Sequence, residues 1–328
     1  MKSDNLVIIY FLLLILFPSC TNKGNSNENI VDCDTVFLHK YKSVKLDSAV
    51  LNSQLPLVNQ VSLVDTCLYI APTDSKKMLV MNLSNNEIIQ INIPIEVESF
   101  YMDDSVFWGL SYPQNFFKYN IDENVFDYIH LPDSLDPVNH LSFFVADSVL
   151  YCFSNIRGDC KIVNTFDLSN GKTGGWGNLT TKYDDTKFRF KSSRHILNHE
   201  ESIYTIGHFI PIIEKFSKNG QKEASLNLNS LHIVNDHFQE RFLLRGRTPY
   251  ILIADCCIDG GFIYLLLADG TGADSGRHVL TINLNKGLFF CTLYELVDSK
   301  KISNFSVQGD SLVAYDIATS ELHFYKIE

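Results

Sequence analysis

A few charged and imidazole side chains are the best candidates for ligand binding in this chain. Two basic clusters, Arg194-His195 and Arg245-Gly246-Arg247, occur although the formal net charge of the chain is −11. An arginine guanidinium offers a planar fork of hydrogen-bond donors, so such clusters suit a carboxylate or an anionic sugar. Asp103 and His140 are two further polar residues that lie next to short apolar runs. The predicted ligand-binding set is Asp103, His140, Arg194, His195, Arg245 and Arg247.

The same side chains also have a structural interpretation. Polar residues beside the innermost strand of a sheet can bond the backbone of the neighbouring sheet, or they can simply be solvated. Asn59 and Gln60 are in comparable positions and are open to the same interpretation. The sequence leaves both interpretations open for all of these residues.

We recognise no catalytic motif in the sequence. Gly270-Thr271-Gly272 precedes a predicted strand and not a helix, so it does not form a phosphate-binding loop. The stretch 272–276 lacks the spacing of a nucleophile elbow. His199-Glu200 has no second histidine four residues after the first, so the zinc-protease pair is missing. We therefore predict no catalytic residue, no metal and no cofactor.

These residues are positioned by a pattern that occurs six times, a polar turn followed at once by an apolar, aromatic-rich run. Asp104-Ser105 before Val106-Phe107-Trp108 is a clear copy. Asp, Asn, Ser and Gly tolerate tight turns, and β-branched and aromatic residues favour buried strands, so each copy predicts a β-hairpin. The second turn residues lie 39 to 59 positions apart, at 66, 105, 148, 202, 261 and 311.

Each copy extends to a meander of four antiparallel strands, often through a second turn such as Asn170-Gly171. A single sheet of this kind cannot bury both faces, whereas sheets arranged radially pack on their neighbours. The predicted fold class is therefore all-β, a six-bladed β-propeller of four-stranded antiparallel blades. The last copy lacks an outer strand, and we expect Val36–Val44 near the N-terminus to supply it and close the ring. An open β-sandwich or two stacked β-domains are the alternative.

The N-terminal segment predicts export. Leu6–Phe17 is an apolar run too short to span a membrane as an ordinary helix, and it ends at Pro18-Ser19-Cys20. A small residue before a cysteine at this point resembles the lipobox of bacterial lipoproteins, so we expect a lipid on Cys20 that tethers the protein to a membrane surface. Secretion with cleavage nearby is the alternative. The predicted domains are a signal peptide at 1–19, a flexible tether at 20–34 and the propeller at 35–328.

Seven of the eight cysteines follow Cys20, and their spacing is not that of a structural zinc site. Cys152 and Cys160 flank a predicted hairpin turn and are a disulfide candidate in an exported protein, with free buried thiols as the alternative. Cys256-Cys257 are adjacent on one strand, so their side chains should point to opposite faces. The cysteines without an assignable partner are Cys33, Cys67 and Cys291.

The acidic balance of the chain argues against nucleic acid as a partner, because a phosphate-binding surface needs clustered Lys and Arg. We expect a monomer held at a membrane by its lipid. Its other partner is an unknown small molecule, glycan or protein.

With the lipobox-like Cys20, the polar tether and six blades, the chain resembles the exported six-bladed propeller lipoproteins of Bacteroidetes, and among these the TolB-like six-bladed propellers. The resemblance implies the fold and a place in the cell envelope, as an outer-membrane lipoprotein that faces the periplasm or the cell surface. The resemblance implies no catalytic residue in this chain. The long loops at 180–190 and 229–249 depart from the family. The resemblance is clearest at Tyr250–Ala254, Phe262–Leu267, Val279–Leu284 and Phe305–Tyr325.

Three functions are compatible with these observations. A non-enzymatic binding or scaffold lipoprotein is favoured, because no catalytic constellation is legible. A propeller hydrolase or lyase acting on a carbohydrate or lactone would need a metal or paired carboxylates at the axial channel. A protein-interaction platform would need a large exposed apolar patch on one face of the ring.

Overall fold

A computed structural model describes the chain from Cys33 onward, apart from several loops. The predicted signal peptide, Cys20 and most of the predicted tether lie outside the described residues. Within the described ranges, no helix has the length and apolar character that crossing a membrane requires. The ranges are 33–46, 57–112, 115–138, 140–156, 161–179, 192–235, 251–268, 276–288 and 290–327.

Short apolar runs between polar turns form β-strands along the whole of this region. Two strands come first, β1 (Asp34–His39) and β2 (Lys42–Lys45). Three meanders follow, formed by β3 (Val58–Val64), β4 (Cys67–Pro72), β5 (Lys77–Asn82), β6 (Ile88–Asn92), β7 (Ser99–Asp103), β8 (Val106–Ser111), β9 (Asn115–Asn120), β10 (Val125–Ile129), β11 (Phe144–Ala146), β12 (Val149–Cys152), β13 (Lys161–Asp167) and β14 (Thr173–Asn178). The remaining strands are β15 (Arg194–His199), β16 (Ser202–Gly207), β17 (Ile212–Ser217), β18 (Lys222–Asn227), β19 (Ile253–Asp259), β20 (Phe262–Leu267), β21 (His278–Asn283), β22 (Cys291–Val297), β23 (Ile302–Gln308), β24 (Ser311–Asp316) and β25 (Glu321–Lys326).

The strands form six sheets, which are the blades of a propeller. Blades 1 to 5 are the meanders β3–β6, β7–β10, β11–β14, β15–β18 and β19–β22, and blade 6 contains β23–β25. The first strand of each blade lies innermost, and these strands contact one another in the order β3, β7, β11, β15, β19 and β23, with β23 again contacting β3. The ring is therefore closed, and the predicted six-bladed, all-β fold is confirmed.

The apolar side chains of each blade are buried against its neighbours. Six buried clusters in the described part of the chain each combine side chains from two consecutive blades. Leu197 on β15 and Ile253 on β19, for example, belong to the cluster between blades 4 and 5. This arrangement explains why a single blade, which could not bury both of its faces, is stable within the ring.

The repeated polar turn has the conformation that its residues predict. Asp65, Asp104 and Asp147 have φ angles of 54°, 51° and 51°, and Gly260 and Gly261 have 54° and 81° in the corresponding turn of blade 5. Left-handed backbone is costly for most residues but accessible to Asp and Gly. The turn residues therefore place the first two strands of a blade side by side.

The N-terminal segment closes the ring, but with a shorter strand than predicted. β2 pairs antiparallel with β25, with Val44 opposite Leu322, and completes blade 6. β1 instead pairs parallel with β22, with Val36 opposite Tyr294, and adds a fifth strand to blade 5. The predicted strand is thus divided between two blades. Leu38 on β1 is buried in the apolar cluster between blades 5 and 6, which explains why this part of the segment packs against blade 5.

A disulfide between Cys33 and Cys291 joins the start of β1 to the start of β22, with a Cα–Cα distance of 5.6 Å. The two cysteines lie 258 positions apart in the sequence, which explains why no partner was assignable from spacing. The parallel register of β1 and β22 brings them side by side. The covalent bond therefore holds the N-terminal strand on the outer edge of blade 5.

Candidate functional site

The inner strands all begin at the same end of the ring, which we call the entry end. His140 and Ser142 precede β11 in blade 3, Arg194 and His195 begin β15 in blade 4, and Asp255 lies near the start of β19 in blade 5. Chain segments from three consecutive blades therefore bring polar side chains together there. We call His140, Ser142, His195 and His208 the histidine cluster.

Hydrogen bonds within the histidine cluster determine which imidazole nitrogen carries the proton. The backbone N–H of Ser142 donates to Nδ1 of His195 at 3.3 Å, so this nitrogen is an acceptor. In a neutral imidazole the proton is then on Nε2. That Nε2–H lies 3.1 Å from Nδ1 of His208, which must be the acceptor in turn. His208 therefore carries its proton on Nε2.

The last donor in this series of hydrogen bonds, the Nε2–H of His208, has no acceptor among the described residues. His208 is buried, and its Nε2 has no hydrogen-bond partner among the described residues. A buried donor without an acceptor costs about 1–3 kcal/mol. Its ring lies 5.4 Å, centroid to centroid, from that of His140, which is exposed at the surface of the entry end. The unused donor is therefore buried immediately next to a surface residue.

Both buried imidazoles are neutral near physiological pH. Burial lowers the pKa of His195 to about 3, with a further contribution from the neighbouring His140. Burial, His195 and His140 hold the pKa of His208 well below its ordinary value. A weaker electrostatic effect of the Ile253 backbone raises both pKa values but does not offset the burial. A histidine with so low a pKa is a poor general base at neutral pH but an effective neutral hydrogen-bond donor.

The other predicted binding residues are not gathered at one place. Arg194 is fully buried, and its Nη1 donates to the backbone carbonyl of Ser192 at 2.6 Å. Asp103 is exposed at the far end of β7, opposite the entry end. Arg245 and Arg247 lie outside the described residues. Of the predicted set, His140 and His195 are the two that the structure brings together.

Asn59 and Gln60 bear out the structural interpretation. Both polar atoms of the Gln60 side-chain amide are used, because Nε2 donates to the carbonyl of Phe100 at 3.0 Å and Oε1 accepts the N–H of Phe100 at 2.7 Å. Asn59 donates to the carbonyl of Val97 at 2.8 Å. Asn304 of blade 6 donates in the same way to the carbonyl of Asn59. These side chains join the inner strands of neighbouring blades.

Asp255 is a half-buried carboxyl group that the sequence analysis did not single out. Its Oδ1 accepts the N–H of Cys256 at 2.8 Å, and its Oδ2 accepts the N–H of Phe305 on the inner strand of blade 6 at 3.0 Å. Burial raises its pKa to about 7, although both hydrogen bonds act in the opposite direction. A carboxyl group with a pKa near neutrality is suited to exchange protons.

The cysteines near this site are not activated. Burial and the neighbouring Asp255 raise the pKa of both Cys256 and Cys257 well above the ordinary value, so both are thiols at neutral pH. As predicted, they point to opposite faces, because Cys256 lies in the cluster between blades 4 and 5 and Cys257 packs on that between blades 5 and 6. The predicted Cys152–Cys160 disulfide stays a prediction, since Cys160 lies outside the described residues.

In the part of the chain that the structure describes, no three His, Cys, Asp or Glu side chains converge as the ligands of a metal ion would. No protein-family model matches the sequence, and no curated protein matches it. The comparisons that do find similarity are with solved structures, and they are similarities of fold.

The chain is similar to a protein of unknown function from Bacteroides thetaiotaomicron, with a TM-score of 0.58, 9% identity and coverage of 92% of this chain and 75% of the other. It is also similar to virginiamycin B lyase from Staphylococcus aureus, with a TM-score of 0.53, 9% identity and coverage of 88% and 99%. A chain of a mitotic checkpoint complex gives a TM-score of 0.54, 7% identity and coverage of 88% and 92%. At such low identity the similarity shows the fold alone, and one fold can serve unrelated functions.

Proposed function

We propose that this protein is a non-enzymatic binding propeller of the cell envelope, held at a membrane by a lipid on Cys20, with a small-ligand site at the histidine cluster. The observation that carries the binding proposal is the buried Nε2–H of His208, which has no acceptor among the described residues and lies beside the exposed His140. A ligand oxygen that accepts this hydrogen bond would remove the cost of the unpaired donor.

The charge state of the cluster favours a neutral ligand. Both buried imidazoles are neutral near pH 7, because burial lowers their pKa values. The guanidinium of Arg194 is buried and donates to Ser192. A carbonyl or hydroxyl oxygen therefore suits the site better than the carboxylate that the arginine clusters suggested. The acetamido group of an amino sugar is a ligand group of this kind.

The disulfide between Cys33 and Cys291 supports a place outside the cytoplasm. Disulfides form and persist in oxidising compartments such as the bacterial periplasm and the cell surface. An exported location agrees with the lipobox-like segment that ends at Cys20. Labelling cells with a radioactive fatty acid tests the lipid directly. The wild-type chain should be labelled and the Cys20→Ser variant should not.

Calorimetric titration tests the binding site with two series of glycans. We expect neutral N-acetylglucosamine oligomers to bind and galacturonate oligomers not to bind. His208→Asn should abolish binding, because asparagine has no group in the position of Nε2. His130→Asn, the same substitution in blade 2, is the matched control and should bind normally. Binding of the galacturonate series alone, or of neither series, would contradict the neutral-ligand proposal.

A lyase or hydrolase is the second candidate, and one observation favours it. Asp255 lies on an inner strand and has a pKa raised to about 7 by burial, which is suited to proton transfer. The fold similarity to virginiamycin B lyase gives a first compound to try. Incubation of the protein with virginiamycin B, followed by mass spectrometry, tests this candidate. Turnover that is lost in Asp255→Asn would favour an enzyme over a binding protein.

A further inference from the structure

Four of the nine large apolar side chains that are exposed in the described part of the chain lie where the N-terminal segment joins the ring. Phe37 on β1 is 59% exposed, Tyr41 between β1 and β2 is 58% exposed, and Phe290 is 57% exposed. Val36 on β1 is exposed as well. Single exposed apolar side chains are ordinary, but a group of them on one part of a surface can mark an interaction site. We call these four residues the N-terminal strip.

The N-terminal strip lies on the outer edge of the ring. β1 is the outermost strand of blade 5, and β2 is the outermost strand of blade 6. The disulfide between Cys33 and Cys291 holds the start of β1 beside β22, and Phe290 directly precedes Cys291. The four residues therefore lie along the outer edges of blades 5 and 6, and we call these edges the margin.

The N-terminal segment of this margin is basic, although the chain beside it carries Glu295, Asp298 and Glu321. The stretch from Asp34 to Lys45 contains three lysines and one aspartate, in a chain with a formal net charge of −11. Lys42 lies over the ring of Phe324, with its Nζ 4.7 Å from the ring centroid, and donates a hydrogen bond to Asn86 at the surface. Lys45 is exposed. Basic and aromatic side chains thus alternate along the same edge.

The tether of the proposed function joins the ring at this edge. Cys20 precedes Cys33 by only 13 residues, and the disulfide fixes Cys33 to blade 5. A polar chain of this length has a root-mean-square span of about 20 Å. The margin that carries the N-terminal strip is thus the part of the ring to which the tether leads. A short tether gives its attachment point a high effective concentration at the membrane.

We propose that this margin docks on the surface of an anionic phospholipid bilayer, with Phe37, Tyr41 and Phe290 at the level of the headgroups and Lys40, Lys42 and Lys45 facing their phosphates. Aromatic side chains favour the membrane–water interface, and lysines close to an anionic surface are attracted to it. The outer strands lie farthest from the axis, so docking there leaves the entry end and its histidine cluster accessible. The inference rests on the tether of the proposed function.

A second copy of this chain is a less suitable occupant than the bilayer. Homodimers mostly bury the same patch of both subunits, so the lysines of one margin would face those of the other. An anionic membrane instead places negative charge opposite the three lysines of the N-terminal segment. The bilayer therefore accounts for the lysines as well as for the aromatic side chains.

Vesicle co-sedimentation tests the docking surface without the lipid. The protein beginning at Thr21 lacks Cys20 but contains every strand of the closed ring. We expect it to bind vesicles of phosphatidylcholine with phosphatidylglycerol, and to bind pure phosphatidylcholine weakly. Phe37→Ser with Phe290→Ser should lower the partition coefficient at least about tenfold, given the apolar area that is lost. Lys42→Glu with Lys45→Glu should remove the preference for phosphatidylglycerol.

The matched control is Tyr112→Ser with Tyr128→Ser, which removes two aromatic side chains that are 76% and 58% exposed in blade 2. This variant should bind like the wild type, and melting curves verify that all variants are folded. No binding by the wild type, or an equal loss in the strip and control variants, would overturn the proposal. A concentration-dependent dimer that the strip substitutions abolish would assign the margin to a second copy instead. Because Cys20 is absent from this protein, these outcomes are independent of the fatty-acid labelling test.

Discussion

Two parts of the ring use similar polar side chains in different ways. Where blades 6, 1 and 2 meet, Asn304, Asn59 and Gln60 bond the backbone of a neighbouring blade. At the entry end of blades 3 to 5, His195 bonds Ser142 and His208, yet Nε2 of His208 has no partner among the described residues. A polar residue near an inner strand is therefore structural when a neighbouring backbone uses it, and it is a functional candidate when a donor is left over.

The physical basis of the contrast is the open edge of each inner strand. That edge faces the axial channel, and its backbone N–H and C=O groups have no further strand to pair with. A buried backbone group without a partner costs free energy comparable to a lost hydrogen bond. Side chains such as Gln60, which bonds both backbone groups of Phe100, supply the missing partner. The histidine cluster satisfies its own members except for one donor.

The largest effect is expected where the joint between blades is broken. Gln60→Leu removes both hydrogen bonds to Phe100 and leaves a buried N–H and C=O without partners. We expect the free energy of unfolding to fall by about 2–4 kcal/mol. Urea denaturation measures this change. Binding at the histidine cluster should remain intact in the folded variant.

Gln90→Leu is the matched control for this prediction. Gln90 is exposed on the outer strand of blade 1, where its side chain accepts a hydrogen bond from Lys77 and donates one to Asn92 at the surface, so its loss should change stability little. If the two substitutions cost the same, the amide of Gln60 does not hold the blades together. The distinction between structural and functional polar residues would then lose its main support.

An intermediate effect is expected at Asp255, which joins blades 5 and 6 through a group that can ionise. Its folded pKa is raised to about 7 by burial, so between about pH 4 and pH 7 the folded state binds more protons than the unfolded state. Stability from this residue is thus present at low pH and is lost as pH rises through 7. Relative to the wild type, Asp255→Asn should gain about 1–3 kcal/mol in free energy of unfolding between pH 4 and pH 8.

Denaturation series at several pH values measure the difference between variant and wild type. If Asp255→Asn also weakens a hydrogen bond, the stability lost in this way is the same at every pH and does not change the trend with pH. Asp259→Asn controls for that loss, because Asp259 lies on the same strand and also accepts a backbone N–H from blade 6, that of Gly309. A difference for Asp255→Asn that stays flat from pH 4 to pH 8 would show that the carboxyl group does not titrate in this range.

The fold was predictable because its signals are local. Each blade repeats a turn such as Asp104-Ser105, in which the left-handed φ of Asp104 places two strands together, and the apolar runs that follow are buried as expected. The position of β1 was not predictable in this way. Its parallel pairing with β22 and the disulfide between Cys33 and Cys291 depend on residues 258 positions apart, for which the sequence carries no local pattern.

The site was predictable only in part, because residue type does not reveal burial. Charge drew attention to Arg194 and His195, but the structure buries both and leaves neither as a surface cation. His208 was missed because a single histidine after an apolar strand is an ordinary feature. Asp255 carried one usable signal, since it is a lone carboxyl group in the apolar run Ile251–Cys257. Its hydrogen bond to Phe305 of blade 6 could not be predicted, because it depends on how the blades are arranged in the ring.

The smallest effect on stability, and the largest on binding, is expected at His208. Asparagine keeps an acceptor near the position of Nδ1, so His195 retains its hydrogen bond, while the unused Nε2–H disappears. We expect His208→Asn to change the free energy of unfolding by about 1 kcal/mol or less, because no existing hydrogen bond is lost. Urea denaturation alongside the glycan titration separates the two effects. A loss above about 3 kcal/mol would mean that Nε2 bonds another part of the protein, and the contrast with Gln60 would then disappear.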